Sequence, residues 1–269
     1  MAVIALVSAK GSPGVTTTAL AFTLSWSRRT ILAECDPAGG SVMDGYLQAQ
    51  LDGNRGLLPL AVAELRNDRM AAEFWTQLVD LDAPKRERLL LPGLTDAAQA
   101  GSLIPIWDRF ALHFAQLEYA NPSYDVIADC GRLAVGGPPW PLLCAADAVL
   151  LVIRPTLPSI SAALPAAEVL RRQLTETTAS TSSLALLVVG SGPYRPDEIA
   201  RQLKAPVLTA MPYDPKTAAV LSGGGDLRLA KNLMRAARAS EAKVRSLVAY
   251  HRQQVPLRAV RAEVTDAPH

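Results

Sequence analysis

The stretch AVIALVSAKGSPGVTTTALAF, residues 2–22, decides the fold. It opens with an apolar, β-branched run, Val3–Ser8, passes through Lys10-Gly11-Ser12-Pro13-Gly14, and continues from Val15 as a small-residue helical pattern. A strand that turns through glycines into a helix brings unpaired backbone N–H groups and a positive dipole end to one point, which suits an anion. Thr16 and Thr17 add hydroxyls in the first helical turn, where a metal on a bound phosphate is ligated. Taken alone, the loop is equally readable as a glycine-containing turn that binds nothing.

The rest of the chain repeats the same unit. Further apolar runs at Thr30–Glu34, Arg88–Leu91, Tyr124–Asp129, Ala148–Ile153, Leu184–Val189 and Val207–Ala210 read as strands. They are continuous rather than alternating, as strands covered on both faces are. Helical patterns lie between them, at Val15–Ser27, Pro59–Arg66, Met70–Leu81, Gly101–Glu118, Ser159–Thr178, Pro196–Leu203 and Leu227–Tyr250. The expected fold is α/β: one doubly wound, mostly parallel twisted sheet with helices on both faces. Residues 1–255 are expected to form one domain and 256–269 a frayed tail.

Composition agrees with a packed domain. The chain has 269 residues, 49% hydrophobic and 19% charged, which excludes disorder. Aromatics are 5%, so Ala, Leu and Val must fill the core. A net charge of +2 is too small to define a polyanion partner for the whole chain. Three cysteines make neither a disulfide framework nor a spaced zinc site, which fits a cytoplasmic protein. The apolar run Leu142–Ile153 is too short to span a bilayer, and no basic segment marks a signal peptide. Neither the histidines nor any Ser/His/Asp grouping has spacing for metal or nucleophile chemistry.

Two more strand ends carry acids. Thr30–Glu34 runs into Cys35-Asp36-Pro37, and the strand ending at Asp129 runs into Cys130-Gly131. Carboxylates at the C-terminal ends of parallel strands face the ligand crevice of such sheets. Phosphate, metal and water chemistry then stand in the order a P-loop NTPase needs. With Lys10, Gly11, Gly14, Thr16 and Thr17 in the loop, the chain resembles the ParA/MinD family of P-loop ATPases, the deviant Walker A group. The likeness runs from residue 2 to about 225. It implies that Lys10 is the signature lysine, reaching a phosphate across an ATP-sandwich homodimer. Glu34 and Asp36 look like the family's paired acids, with Asp36 orienting water, and Asp129 looks like the Walker B aspartate. The resemblance implies ATP and Mg2+ as cofactors. Gly11, Ser12, Gly14, Val15, Thr16 and Thr17 would surround the phosphates, Thr16, Asp36 and Asp129 the metal, and Pro212 and Asp214 the base. ATP against GTP stays open. The family's tasks are partitioning DNA or positioning division, pilus or secretion machinery, with a protein partner or activator.

Departures from the pattern matter as much. Val15 stands where the family's loop has its internal lysine, Ser12 replaces a glycine, Pro13 removes an N–H donor, and Gly190 replaces an asparagine for the base. Losing one charge-assisted phosphate contact costs about 1.5–3 kcal/mol, or roughly ten- to a hundredfold in affinity. Arg132, three residues past Asp129, is a candidate compensating cation; Arg154 is a second cation at a loop end. Both also read as surface residues. A weak or slow ATPase switch and a non-hydrolysing scaffold therefore both remain open.

Between Arg228 and Arg261 lie nine Lys or Arg and one acid, Glu241. On a helix, Arg228, Lys231, Arg235, Arg238 and Arg245 share one stripe, while Leu229, Leu233, Ala237, Val244, Leu247 and Val248 lie opposite. The stripe is a solvated face or a sequence-independent DNA contact. A DNA-binding protein with a vestigial nucleotide site is thus a third reading. The residues after Val255 include two prolines and late acids, which disfavours membrane attachment.

Overall fold

The computed structural model describes residues 2–11, 13–50, 54–67, 69–134, 136–226 and 231–255. Ser12, Arg228, Leu229 and the 256–269 tail lie outside them. Within the described residues the strands are β1 (Val3–Ser8), β2 (Thr30–Glu34), β3 (Val79–Asp80), β4 (Arg88–Leu91), β5 (Asp125–Arg132), β6 (Ala148–Ile153), β7 (Leu184–Val189) and β8 (Val207–Met211). They form one sheet in the order β3-β4-β2-β5-β1-β6-β7-β8. All neighbours are parallel except β3 against β4. The chain runs outward from β1 to one edge, returns to β5 beside it, then continues to the other edge. Ligands bind beside such a reversal point, outside the carboxyl ends of the strands.

Alternate residues of each central strand face opposite layers. Val3, Ala5 and Val7 of β1 enter one core with Phe74, Phe110 and Phe114. That layer holds α2 (Leu57–Asn67), α4 (Trp107–Gln116), α5 (Trp140–Ala145), α6 (Leu157–Thr178) and α7 (Pro196–Leu203). Ile4 and Leu6 enter the second core with Phe22, Leu221 and Leu233. It is covered by α1 (Val15–Ser25), α8 (Pro215–Gly223) and α9 (Lys231–Gln254). Burial on both faces is why the strands read as unbroken apolar runs. α1 is buried from Thr18 to Thr23, on nearly every side, because it is sandwiched between the sheet and α9.

The expected helix Met70–Leu81 is corrected. Only a short helix, α3 (Met70–Glu73), and a 3-10 turn, Phe74–Thr76, form; the chain then becomes β3. Val79 and Asp80 pair with Leu90 and Leu89, and Leu81 N–H donates to Arg88 O at 2.8 Å. Pairing with a sheet edge supplies hydrogen bonds that outweigh the helical pattern. The expected helix Gly101–Glu118 is α-helical only over Trp107–Gln116. Residues Ala97–Ile106 take a 3-10 course through Pro105, which lacks the N–H an α-turn needs. α5 and α8 are additional to the expected helices. Among the described residues, no helix is long and apolar enough to cross a membrane.

The final helix behaves as its pattern predicts. Leu233, Ala237, Val244, Leu247 and Val248 are buried, while Lys231, Arg235, Arg238 and Arg245 are exposed. Its last turn is anchored by polar contacts. Arg252 pairs with Asp147 at 2.7 Å and Glu118 at 2.9 Å, and the buried His251 bonds through Nδ1 to the Ser182 hydroxyl at 2.7 Å.

Candidate functional site

The loop after β1 uses two glycines where backbone strain demands them. Gly11 and Gly14 have φ of 78° and 105°, in the left-handed region where a side chain is strained. Gly14 precedes α1, and no side chain caps that helix end. The first-turn N–H groups therefore face the cavity with the helix dipole behind them. Gly11, Pro13, Gly14, Val15, Thr16 and Thr17 line a cavity of about 270 Å3. Ser8, Asp36, Gly131 and Arg132 complete it.

Asp129 is buried on β5 next to these residues, beside Thr16 and Gly131. It accepts from Gly131 N–H at 3.0 Å and from the Thr16 hydroxyl. Burial pushes its pKa up to about 7, helped by the nearby Glu34 and Asp36 charges and opposed by the Thr16 and Gly131 hydrogen bonds. Asp36 is half-buried and accepts from Ala38 N–H at 2.8 Å. Burial raises its pKa too, with Arg132 pulling the other way. Gly131 is what lets β5 pass Asp36: a Cβ there would lie 2.0 Å from the Asp36 carboxyl carbon, and its φ is 62°. The sequence signal for this was the glycine two residues after Asp129.

Glu34 does something other than its pairing with Asp36 suggests. Its carboxylate accepts from Ser41 N–H at 2.7 Å, Val42 N–H at 2.9 Å and Gly93 N–H at 3.2 Å. It is buried and ties the loop after β2 to the end of β4; burial raises its pKa against those three hydrogen bonds. Cys35 and Cys130 sit beside these acids, fully buried, and burial pushes both thiols well up. They are apolar fillers, as expected.

Val15 is buried and belongs to the second core while touching the cavity wall. It brings no charge. Among the described residues, Arg132 is the cation that lines the cavity. Arg154 instead lies over the Tyr213 ring, 5.6 Å from its centroid. Lys10 is exposed and lines a different groove, with Leu133, Trp140, Pro158 and Ala162.

Pro212 and Asp214 follow β8, at the sheet edge, and do not line the loop cavity. Asp214 caps α8: its carboxylate accepts from Thr217 N–H at 3.0 Å and the Thr217 hydroxyl at 2.7 Å, which hold its pKa down. The basic residues of α9 stay apart from the cavity lining; Arg245 pairs with Glu241 at 3.8 Å. Among the described residues no group of three or more His, Cys, Asp or Glu could by itself hold a metal ion. Magnesium fits this donor set differently, since it favours one or two protein oxygens with water and phosphate completing its shell.

No family model matches the chain, and no curated protein matches it in sequence. Solved structures do match. MinD cell division protein from Aquifex aeolicus is 17% identical with a TM-score of 0.68, over 91% of this chain and 98% of that one. A ParA family ATPase from Chlorobium tepidum is 20% identical with a TM-score of 0.66, over 90% and 98%. The septum site-determining protein MinD complexed with Mg-ADP, from Pyrococcus horikoshii, is 14% identical with a TM-score of 0.60, over 98% and 99%. Such identities establish architecture rather than activity: the chain has the P-loop NTPase fold of the MinD and ParA proteins.

Proposed function

We propose that the chain is a MinD/ParA-like nucleotide switch. It would bind MgATP in the loop cavity, turn it over slowly, and act as a homodimer that positions DNA or a cellular machine with a protein partner. The observation that carries this reading is the joining of Gly11, Gly14, Thr16, Asp36, Asp129 and Arg132 at neighbouring strand ends. Backbone N–H groups at the start of α1 cradle phosphate oxygens there. The Thr16 hydroxyl, hydrogen-bonded to Asp129, would hold magnesium, and Asp36 would orient the attacking water. Magnesium supplies charge neutralisation on the phosphates. Arg132 takes the electrostatic role that Val15 leaves open, as a planar donor suited to phosphate. Lys10, directed out of the cavity, is free to meet a second subunit. Supporting analogy comes from the magnesium–nucleotide complex of Pyrococcus MinD, which has the same architecture.

Two observations favour other readings. Val15 packed into the core favours a scaffold that keeps fold and dimer without hydrolysis. The exposed cations Lys231, Arg235 and Arg238, for which no ion pair is found among the described residues, favour DNA binding without a working nucleotide site. Phosphate release and sedimentation with and without MgATP separate the three. Slow turnover with an ATP-dependent dimer supports the switch. A nucleotide-independent dimer without turnover supports the scaffold, and salt-sensitive DNA binding indifferent to ATP supports the third.

A further inference from the structure

A second pocket lies at the opposite end of the sheet. Arg29 precedes β2, Lys85 and Arg86 precede β4, and Tyr124 precedes β5, whereas the loop cavity stands at the far ends of β2 and β5. Strands of this length separate the two ends by about 17 Å. Arg29, Trp75, Lys85, Arg86, Asn121 and Tyr124 line a pocket of about 470 Å3, a size that takes one small ligand.

Its lining is basic. Arg29, Lys85 and Arg86 are exposed, and none makes an ion pair among the described residues. The nearest acids, Asp80 and Asp82, stand beside Tyr124 and are hydrogen-bonded within the turn that carries Lys85 and Arg86. Asp80 accepts from Asp82 N–H and Arg86 N–H, both at 3.1 Å. Asp82 accepts from Glu87 N–H at 3.2 Å and pairs with Arg88 at 2.9 Å. Three cations around one concavity repel one another, and an anion entering it relieves that repulsion.

The aromatic wall is already set. Trp75 is 37% exposed. It packs edge-on against Phe74 at 5.4 Å and tilts on Tyr124 at 5.6 Å. Tyr124 is buried, and its hydroxyl donates to Arg86 O at 2.9 Å, which fixes the cation-bearing turn against the ring. A flat, partly exposed ring beside free cations matches a base joined to a phosphate, because stacking and charge act on adjoining parts of one unit. Asn121 adds an amide able to donate and accept.

We propose that this pocket binds a nucleotide unit, with its phosphate among Arg29, Lys85 and Arg86 and its base on Trp75. The unit comes either as a free mononucleotide or as one residue of a single strand. The proposal does not depend on the loop cavity binding anything.

Two probes distinguish the sources: AMP, followed by calorimetry, and a short fluorescein-labelled oligothymidylate, followed by anisotropy. Both are titrated into the full chain, its Arg29→Gln/Lys85→Gln/Arg86→Gln variant, Trp75→Leu, and Thr16→Ala as the loop-cavity control. Circular dichroism checks each fold; the charge variant alters exposed side chains only and stands if Trp75→Leu misfolds. The expected result is binding of at least one probe that falls tenfold or more in the charge variant and is unchanged in Thr16→Ala. Tighter binding of the strand assigns a single-strand site, and binding of AMP alone a free-nucleotide site. Equal binding by the native chain and the charge variant overturns the proposal, as does no binding of either probe at millimolar concentration.

Discussion

Asp129, buried beside Thr16, and Arg132, lining the loop cavity, each make a measurable demand. The folded-state pKa of Asp129, about 7, exceeds the ordinary 3.8, so the folded chain holds that proton more tightly than the unfolded one. Its contribution to stability is therefore largest at low pH and is lost as pH rises from about 4 to 7, by at most about 1.4 kcal/mol per unit. Asp129→Asn should gain stability relative to the native chain across that window and hold the gain above it. Urea unfolding without nucleotide at pH 5 and pH 8 reads this; an equal difference at both values contradicts it. Gly131→Ala forces a Cβ into the Asp36 carboxyl at a positive φ, so it should cost about 2 kcal/mol and displace Asp36. An unchanged denaturation midpoint would show that the approach is not tight. Arg132→Ala should weaken MgATP binding at least tenfold, since one charge-assisted contact is worth about 1.5–3 kcal/mol. Unchanged affinity removes Arg132 from the site.

Among the elements, the strands were the most legible. The unbroken runs at Val3–Ser8, Thr30–Glu34 and Ala148–Ile153 became strands with those bounds, because burial on both faces leaves a signal that needs no partner to read. The segment from Met70 was misread because its identity as an edge strand depends on Leu89 and Leu90, which local periodicity does not contain. The site divided the same way. Gly11, Gly14 and Thr16 were readable from a loop whose backbone demands are local. The anchoring task of Glu34 was not, since its partners Ser41, Val42 and Gly93 reach it only through the fold. The end of α9 makes an element-scale prediction. Arg252 joins Asp147 and Glu118 while partly open to water, so Arg252→Ala should destabilise the chain by about 1–2 kcal/mol and speed amide exchange in the last turns of α9. Exchange unaltered there would mean the apolar face alone holds the helix.

For the molecule as a whole, the sheet order puts the glycine loop, Asp36 and Asp129 on adjacent strands β1, β2 and β5, at the end where the chain direction reverses. The far end carries the second basic pocket, so the two proposed ligand sites are separated by the length of the sheet. Restoring the missing charge tests whether the first site is otherwise complete. Val15→Lys can lay its stem along the core wall and bring its ammonium to the cavity, and it should raise both MgATP affinity and turnover. The most direct measurement is calorimetric titration of the native chain with MgATP, against MgADP and MgGTP. Saturable MgATP binding in the micromolar range is the predicted result, with Arg132 standing in for the absent lysine. No heat of binding at millimolar nucleotide would contradict it and leave a protein that keeps the P-loop architecture without a nucleotide cycle.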